Sequence, residues 1–185
     1  MLLLASKSPR RRELLGMLDM PFEIIEIRNV EETYPHDLEK EKVPEYLSRL
    51  KADAYKDELK KGDILITADT VVILDNEIIG KPTDLSDAKA MLHKLSGRVH
   101  RVVTGVTLSS IKKSATFSTV TDVTFAPLTD DEIDYYVDKF KPLDKAGAYG
   151  IQEWIGAVGV AGIDGSYYNV MGLPVHRLYN ELLIF

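Results

Sequence analysis

The sequence predicts an α/β protein, with a mixed β-sheet and helices flanking it. Three observations carry that prediction. Ile64–Leu74 is a long run rich in apolar and β-branched residues, the pattern of a central strand buried on both faces. Tyr46, Leu47, Leu50, Ala54 and Leu59 give the segment before it an apolar side at helical spacing. Thr129-Asp130-Asp131-Glu132 is a capping box, in which a hydroxyl and a carboxylate each satisfy a backbone amide at a helix start.

The elements follow in chain order. Residues 2–5 are short and apolar, as in a buried strand. Ser8 and Pro9 open a helix as N-cap and first residue, Leu14, Leu15 and Leu18 form its apolar face, and Asp19-Met20-Pro21 ends it. Residues 22–27 alternate as a strand, and residues 31–41 are polar and loop-like. A helix is expected over 44–61, closed by Gly62. After the central strand, Asp75-Asn76 turns the chain into Glu77–Ile79. The loop Gly80-Lys81-Pro82 leads to a helix over 86–95. Strands at Val99–Ser109 and 115–125 are expected to pair through Ile111-Lys112-Lys113. The capping box opens a helix to Phe140, residues 147–172 read as a glycine-rich loop, and 174–183 as a closing helix. No repeat or linker interrupts this order, so residues 1–185 are read as a single domain.

Composition narrows the function classes. With 185 residues, 45% of them hydrophobic, the chain can bury a sizeable interior. A net charge of −6 argues against a polymeric nucleic-acid partner, although a few local cations and a metal can hold one mononucleotide. The absence of cysteine excludes disulfides, zinc thiolates and thiol nucleophiles. Near the N-terminus the apolar residues precede Arg10-Arg11-Arg12, the reverse of a secretory signal. No apolar run approaches the roughly 18 residues of a membrane span. A cytoplasmic protein without a membrane partner is therefore expected.

Candidate functional residues stand where local folding rules are broken. Arg10, Arg11 and Arg12 place cations in the first turn of a helix, against its dipole, at about 0.3–1 kcal/mol each. A bound polyanion reverses that cost; a solvated basic turn is the plainer explanation. Arg11 lies on the stripe of Leu14, Leu15 and Leu18, which directs it inward. Asp69 sits inside the central apolar strand, where a carboxylate suits metal binding or general-base work, or is satisfied by backbone amides. Gly80 and Pro82 bracket Lys81 as if to aim it at phosphate, as an ordinary turn also would. Glu31-Glu32 offers a second metal ligand or a solvated acidic loop, and Lys51 on its helix has exposure as the default. The four histidines lack metal-ligand spacing, with His100 read as a packed strand residue. No P-loop, dinucleotide fingerprint or nucleophile elbow is present.

One run of residues goes further. Leu4-Ala5-Ser6-Lys7-Ser8-Pro9-Arg10-Arg11-Arg12-Glu13-Leu14-Leu15 resembles the opening signature of the Maf family of nucleotide pyrophosphatases. The resemblance continues through Ala68-Asp69-Thr70-Val71-Val72, Gly80-Lys81-Pro82, Ser96-Gly97-Arg98-Val99-His100 and Val103-Thr104-Gly105. It also includes Gly147-Ala148-Tyr149-Gly150-Ile151-Gln152 and the stretch from Gly165 to Pro174.

This resemblance implies two lobes around a deep cleft, as in inosine-triphosphate pyrophosphatases, a divalent cation (Mg²⁺ or Mn²⁺) and a homodimer. It implies a hydrolase acting on acid anhydrides, a house-cleaning nucleoside triphosphate pyrophosphatase. Asp69 corresponds to the proton acceptor and a metal ligand. Ser8, Arg11, Glu32, Lys51 and Lys81 correspond to phosphate and metal contacts, with Glu31 or Lys56 as alternatives for Glu32 and Lys51. Arg10, Thr70 and Gln152 resemble the set of members acting on dTTP and UTP. Glu153-Trp154 departs from relatives that carry a small residue after the glutamine, and the tryptophan is a candidate for stacking on a pyrimidine. The rival readings are a 7-methyl-GTP pyrophosphatase, a phosphomonoesterase, and a non-catalytic nucleotide-binding regulator of cell division.

Overall fold

A computed structural model describes residues 1–185. Seven strands form one mixed sheet in the order β2-β1-β3-β5-β6-β7, with β4 also paired to β3. β1 (Leu2–Leu4) runs parallel to both β2 (Phe22–Ile24) and β3 (Ile64–Leu74). β4 (Glu77–Ile79) returns antiparallel to β3 after the Asp75-Asn76 turn. β5 (Val99–Ser109) and β6 (Ser114–Phe125) are neighbours joined by a tight turn, closed by the Ser110 N–H donating to the Lys113 carbonyl at 2.9 Å. β7 (Val160–Asp164) pairs antiparallel with β6. The helices are α1 (Pro9–Gly16), α2 (Val43–Asp53), α3 (Leu85–Leu95), α4 (Asp130–Phe140), α5 (Trp154–Gly159), α6 (Tyr167–Met171) and α7 (Val175–Ile184). The expected α/β class with a mixed sheet is the observed one.

The chain divides into two compact units. Unit 1 comprises Met1–Thr70, Thr104–Thr119 and Gly172–Phe185; unit 2 comprises Val71–Val103 and Val120–Met171. Each is thus assembled from discontinuous segments of one chain.

In unit 1, α1 begins as its sequence dictates, with Ser8 capping and Pro9 in the first turn, and it buries Leu14 and Leu15. One apolar cluster gathers Ala5, Ala52, Tyr55 and Leu65, with Leu3 and Ile25 against it. Helix α2 stops at Asp53, short of the expected residue 61. Beyond it Tyr55 is buried and its hydroxyl donates to the Glu26 carbonyl while accepting the Arg28 N–H, both at 2.9 Å. These tertiary contacts override the local helical preference.

Gly105 on β5 explains how closely α2 approaches the sheet. A Cβ there would lie 2.3 Å from the Pro44 carbonyl carbon, so only glycine admits the start of the helix at this point.

In unit 2, α3 and α4 cover a core that includes Leu92, Val123, Phe125, Ile133 and Tyr136. The capping box is formed: the Thr129 N–H donates to Glu132 Oε2 at 2.8 Å and the Glu132 N–H to Thr129 Oγ1 at 3.2 Å. Residues 147–172, expected to be mainly loop, instead hold α5, β7 and α6. Glycines at 156, 159 and 162 conceal both periodicities there. Strand β7 draws its order from pairing with β6, a non-local contact.

Candidate active site

The site in unit 1 is built on the alternation of β3. Thr67 and Asp69 are two residues apart and share one face of the strand. The Thr67 hydroxyl donates to the Ser48 carbonyl of α2 at 2.7 Å, and Ser48 Oγ lies 2.9 Å from the Thr107 hydroxyl. Lys51 follows Ser48 by three residues, on the same side of the helix. Its ammonium donates to Asp69 Oδ1 at 2.7 Å. Seating Ser48 of the helix on Thr67 and Thr107 therefore delivers the lysine to the aspartate.

Glu32, from the loop between β2 and α2, adds a second carboxylate. Its Oε2 lies 3.1 Å from the same Lys51 ammonium. The Asp69 side chain is 12% exposed and that of Glu32 is 52% exposed, so Asp69 is the more buried of the two carboxylates that Lys51 pairs with. Lys56, the alternative to Lys51, instead pairs with Asp53 at the surface at 2.7 Å. Glu31 is exposed.

Arg11 points inward, as its place on the helix stripe predicts, and its guanidinium grips β3 around Asp69. Nη1 donates to the Ala68 carbonyl at 2.7 Å and Nη2 to Thr70 Oγ1 at 3.0 Å. Nε donates to the Gly172 carbonyl at 2.8 Å, and Thr70 Oγ1 lies 2.9 Å from the Thr104 hydroxyl. Burial lowers the Arg11 pKa, an effect partly offset by the negative charge of Asp69. The resemblance assigns Arg11 to phosphate and Thr70 to substrate. Here three arginine donors are engaged with protein acceptors and Thr70 is one of them. Ser8 Oγ accepts the Arg11 N–H at 3.4 Å as the helix cap. Arg10 is partly buried, and its charge acts against that of its neighbour Arg11.

Lys81 and Gln152 belong to unit 2, and both are exposed. The Lys81 loop is tied down where the Gly147 N–H donates to the Gly80 carbonyl at 3.0 Å, and Pro82 is buried. Gln152 stands between buried Ile151 and Glu153. Trp154 packs edge-on against Tyr135, with ring centroids 4.9 Å apart, and against the unit 2 core, which engages it in packing.

Of the residues that place these groups, Thr67 and Ser48 were passed over at the level of sequence, and Gly105 had no role there beyond its place in a matching motif. The signal for the first two was available in the alternation Thr67–Asp69 and the helical spacing Ser48–Lys51. For Gly105 the sequence carried only the glycine itself.

The fold and site together define an α/β protein in which one helix lysine is paired with a buried strand aspartate and with a loop glutamate. Comparison with known proteins makes the assignment specific. The model of the Maf family, described as Maf-like protein, matches residues 1–185. The chain is 54% identical over 181 residues to the dTTP/UTP pyrophosphatase of Phocaeicola vulgatus, covering 98% of this chain and 94% of the relative. It is 54% identical over 186 residues to the dTTP/UTP pyrophosphatase of Porphyromonas gingivalis W83, covering 100% and 94%. Among solved structures, the Staphylococcus aureus Ham1 protein matches with a TM-score of 0.53 at 19% identity, covering 97% of this chain and 98% of that one, a likeness of fold. The chain belongs to the Maf family.

Proposed function

We propose that this protein is a nucleoside triphosphate pyrophosphatase that hydrolyses dTTP and UTP to the monophosphate and pyrophosphate. The names of relatives at 54% identity support this substrate class. The observation that carries the chemistry is the buried Asp69 held at 2.7 Å by the Lys51 ammonium.

Asp69 is the proton acceptor for the water that attacks the α-phosphorus. Lys51 orients that carboxylate through its hydrogen bond to Oδ1. Arg10 is assigned to phosphate oxygens, beside Ser8, whose hydroxyl and carbonyl take the Arg11 and Arg12 N–H groups. Arg11 acts through the strand that it grips. Of the unit 2 residues, Lys81 is assigned to the charge that develops on the leaving pyrophosphate, and Gln152 to the base.

Asp69 and Glu32 bring two carboxylates to one cation, at 2.7 and 3.1 Å from Lys51 Nζ. As hard oxygen donors, these two carboxylates would hold Mg²⁺ or Mn²⁺. When bound, that cation supplies neutralisation of the triphosphate and a lowered pKa for water. A cytoplasmic homodimer belongs to the same proposal; no helix is long and apolar enough to cross a membrane.

The test is a substrate panel of dTTP, UTP, CTP, GTP and 7-methyl-GTP with Mg²⁺ or Mn²⁺, its products separated by chromatography. Pyrophosphate and monophosphate, formed fastest from dTTP and UTP, are expected. Preference for 7-methyl-GTP would overturn the base assignment. Orthophosphate as the sole phosphate product would overturn the reaction.

A further inference from the structure

Gln152 is an exposed side chain on a backbone held from both sides. Before it, Ile151 is buried in the core of unit 2. After it, Glu153 stands at the N-cap position of α5 but makes no capping bond with its side chain. A carboxylate is favoured at that position by the helix amides and dipole, so its withdrawal needs a cause. The cause lies on α4. The hydroxyl of the fully buried Tyr136 donates to Glu153 Oε2 and accepts the Gly150 N–H at 3.0 Å. Glu153 Oε1 also lies 3.2 Å from the buried Lys145 ammonium, which meets Asp144 Oδ1 at 2.8 Å.

The loop closes on this group without spare room. A Cβ on Gly150 would lie 2.9 Å from Lys145 Cε and 3.0 Å from Glu153 Cδ. Tyr136 thus ties together the residues two before and one after Gln152, and Lys145 anchors the carboxylate. Burial and the neighbouring carboxylate push the Tyr136 phenol pKa up, which keeps the proton available for donation.

We infer that Tyr136, Glu153 and Lys145 form a latch that fixes the Gly150–Gln152–Glu153 segment and so gives Gln152 its power to discriminate between pyrimidine bases. This rests on the dTTP/UTP reading above. Uracil and thymine present an N–H donor beside a carbonyl acceptor, whereas cytosine presents a ring acceptor beside an amino donor. On a loose backbone a carboxamide can shift as well as rotate, and so reach the pairing edge of either base. A fixed backbone sets its distance and angle of approach, so that the edge it meets less well leaves polar groups unpaired. The three latch residues are positioning residues, acting through Gln152.

The experiment compares wild type with Tyr136→Phe, which keeps the buried ring, and with the milder Glu153→Gln. Two readouts are needed: the ratio of kcat/KM for dTTP over CTP, and the hydrogen-exchange rate of the Gly150 amide. Tyr136→Phe is expected to speed that exchange and to reduce the ratio by about tenfold, mainly by improving CTP rather than by losing dTTP turnover. Glu153→Gln, which keeps an acceptor for the tyrosine, is expected to fall between the two. Unchanged ratios in both variants would overturn the inference while leaving the proposed activity standing. Failure of the wild type to hydrolyse any nucleotide would instead overturn the proposed activity, and the role in base selection with it.

Discussion

The guanidinium of Arg11 donates to Thr70 Oγ1 at 3.0 Å, and the same group takes the Ala68 carbonyl at 2.7 Å. Helix α1 is thereby fastened to β3 immediately before and immediately after Asp69. The positions of these acceptors suit a planar fork that a lysine cannot reproduce. Arg11→Lys is therefore expected to lower kcat for dTTP by about 10–100-fold with KM changed less than about threefold, since a misplaced carboxylate weakens the transition state more than substrate binding. A large rise in KM at unchanged kcat would assign Arg11 to substrate binding instead.

Gly105 controls the approach of α2, and through it the reach of Lys51. Gly105→Ala places a methyl against the Pro44 backbone, 2.3 Å from its carbonyl carbon. The backbone has to move, at a cost of about 1–3 kcal/mol or more. Thermal unfolding should show a Tm lowered by several degrees, and turnover should fall because Lys51 shifts away from Asp69. A stable variant with normal turnover would show that the helix seat does not govern the site.

His100 makes unit 2 sensitive to acid. It is buried, with Nε2 2.6 Å from the Tyr149 hydroxyl and Nδ1 without a hydrogen-bond partner. Burial lowers its pKa from 6.5 to about 4, against a small opposing pull from Asp122. The unfolded chain therefore takes up a proton that the native state refuses, and stability falls as pH drops from about 6.5 to about 4. The full effect is on the order of 3 kcal/mol. Denaturant titrations of wild type and His100→Gln across that window should show the steeper loss in wild type. Parallel slopes would contradict a neutral buried histidine.

The two-sided burial of β3, the start of α1 and the capping box of α4 were legible because each is written in adjacent residues. Their patterns are local, and the structure keeps them. The end of α2 was not legible, since it depends on Tyr55 reaching Glu26 and Arg28 across the fold. Strand β7 was missed for a similar reason: its order comes from pairing with β6, while its own glycine weakens the alternation. At the site, Asp69 announced itself as a charge in an apolar strand, and Arg11 as a cation on an apolar stripe. Partnership was less visible. Nothing in the spacing of Glu32, Lys51 and Asp69 showed that one ammonium would hold both carboxylates. Nor did anything show that Glu153 would leave its helix to meet Tyr136.

The role of Asp69 as base is tested by the Asp69→Asn variant, assayed beside wild type for pyrophosphate release from dTTP with Mg²⁺. Asparagine keeps the shape and an acceptor for Lys51 but cannot take the proton. Wild type is expected to release pyrophosphate and monophosphate, and the variant to lose about 10²–10⁴-fold in rate with its fold retained by circular dichroism. Near-wild-type turnover by Asp69→Asn would contradict the assignment of Asp69 as the base.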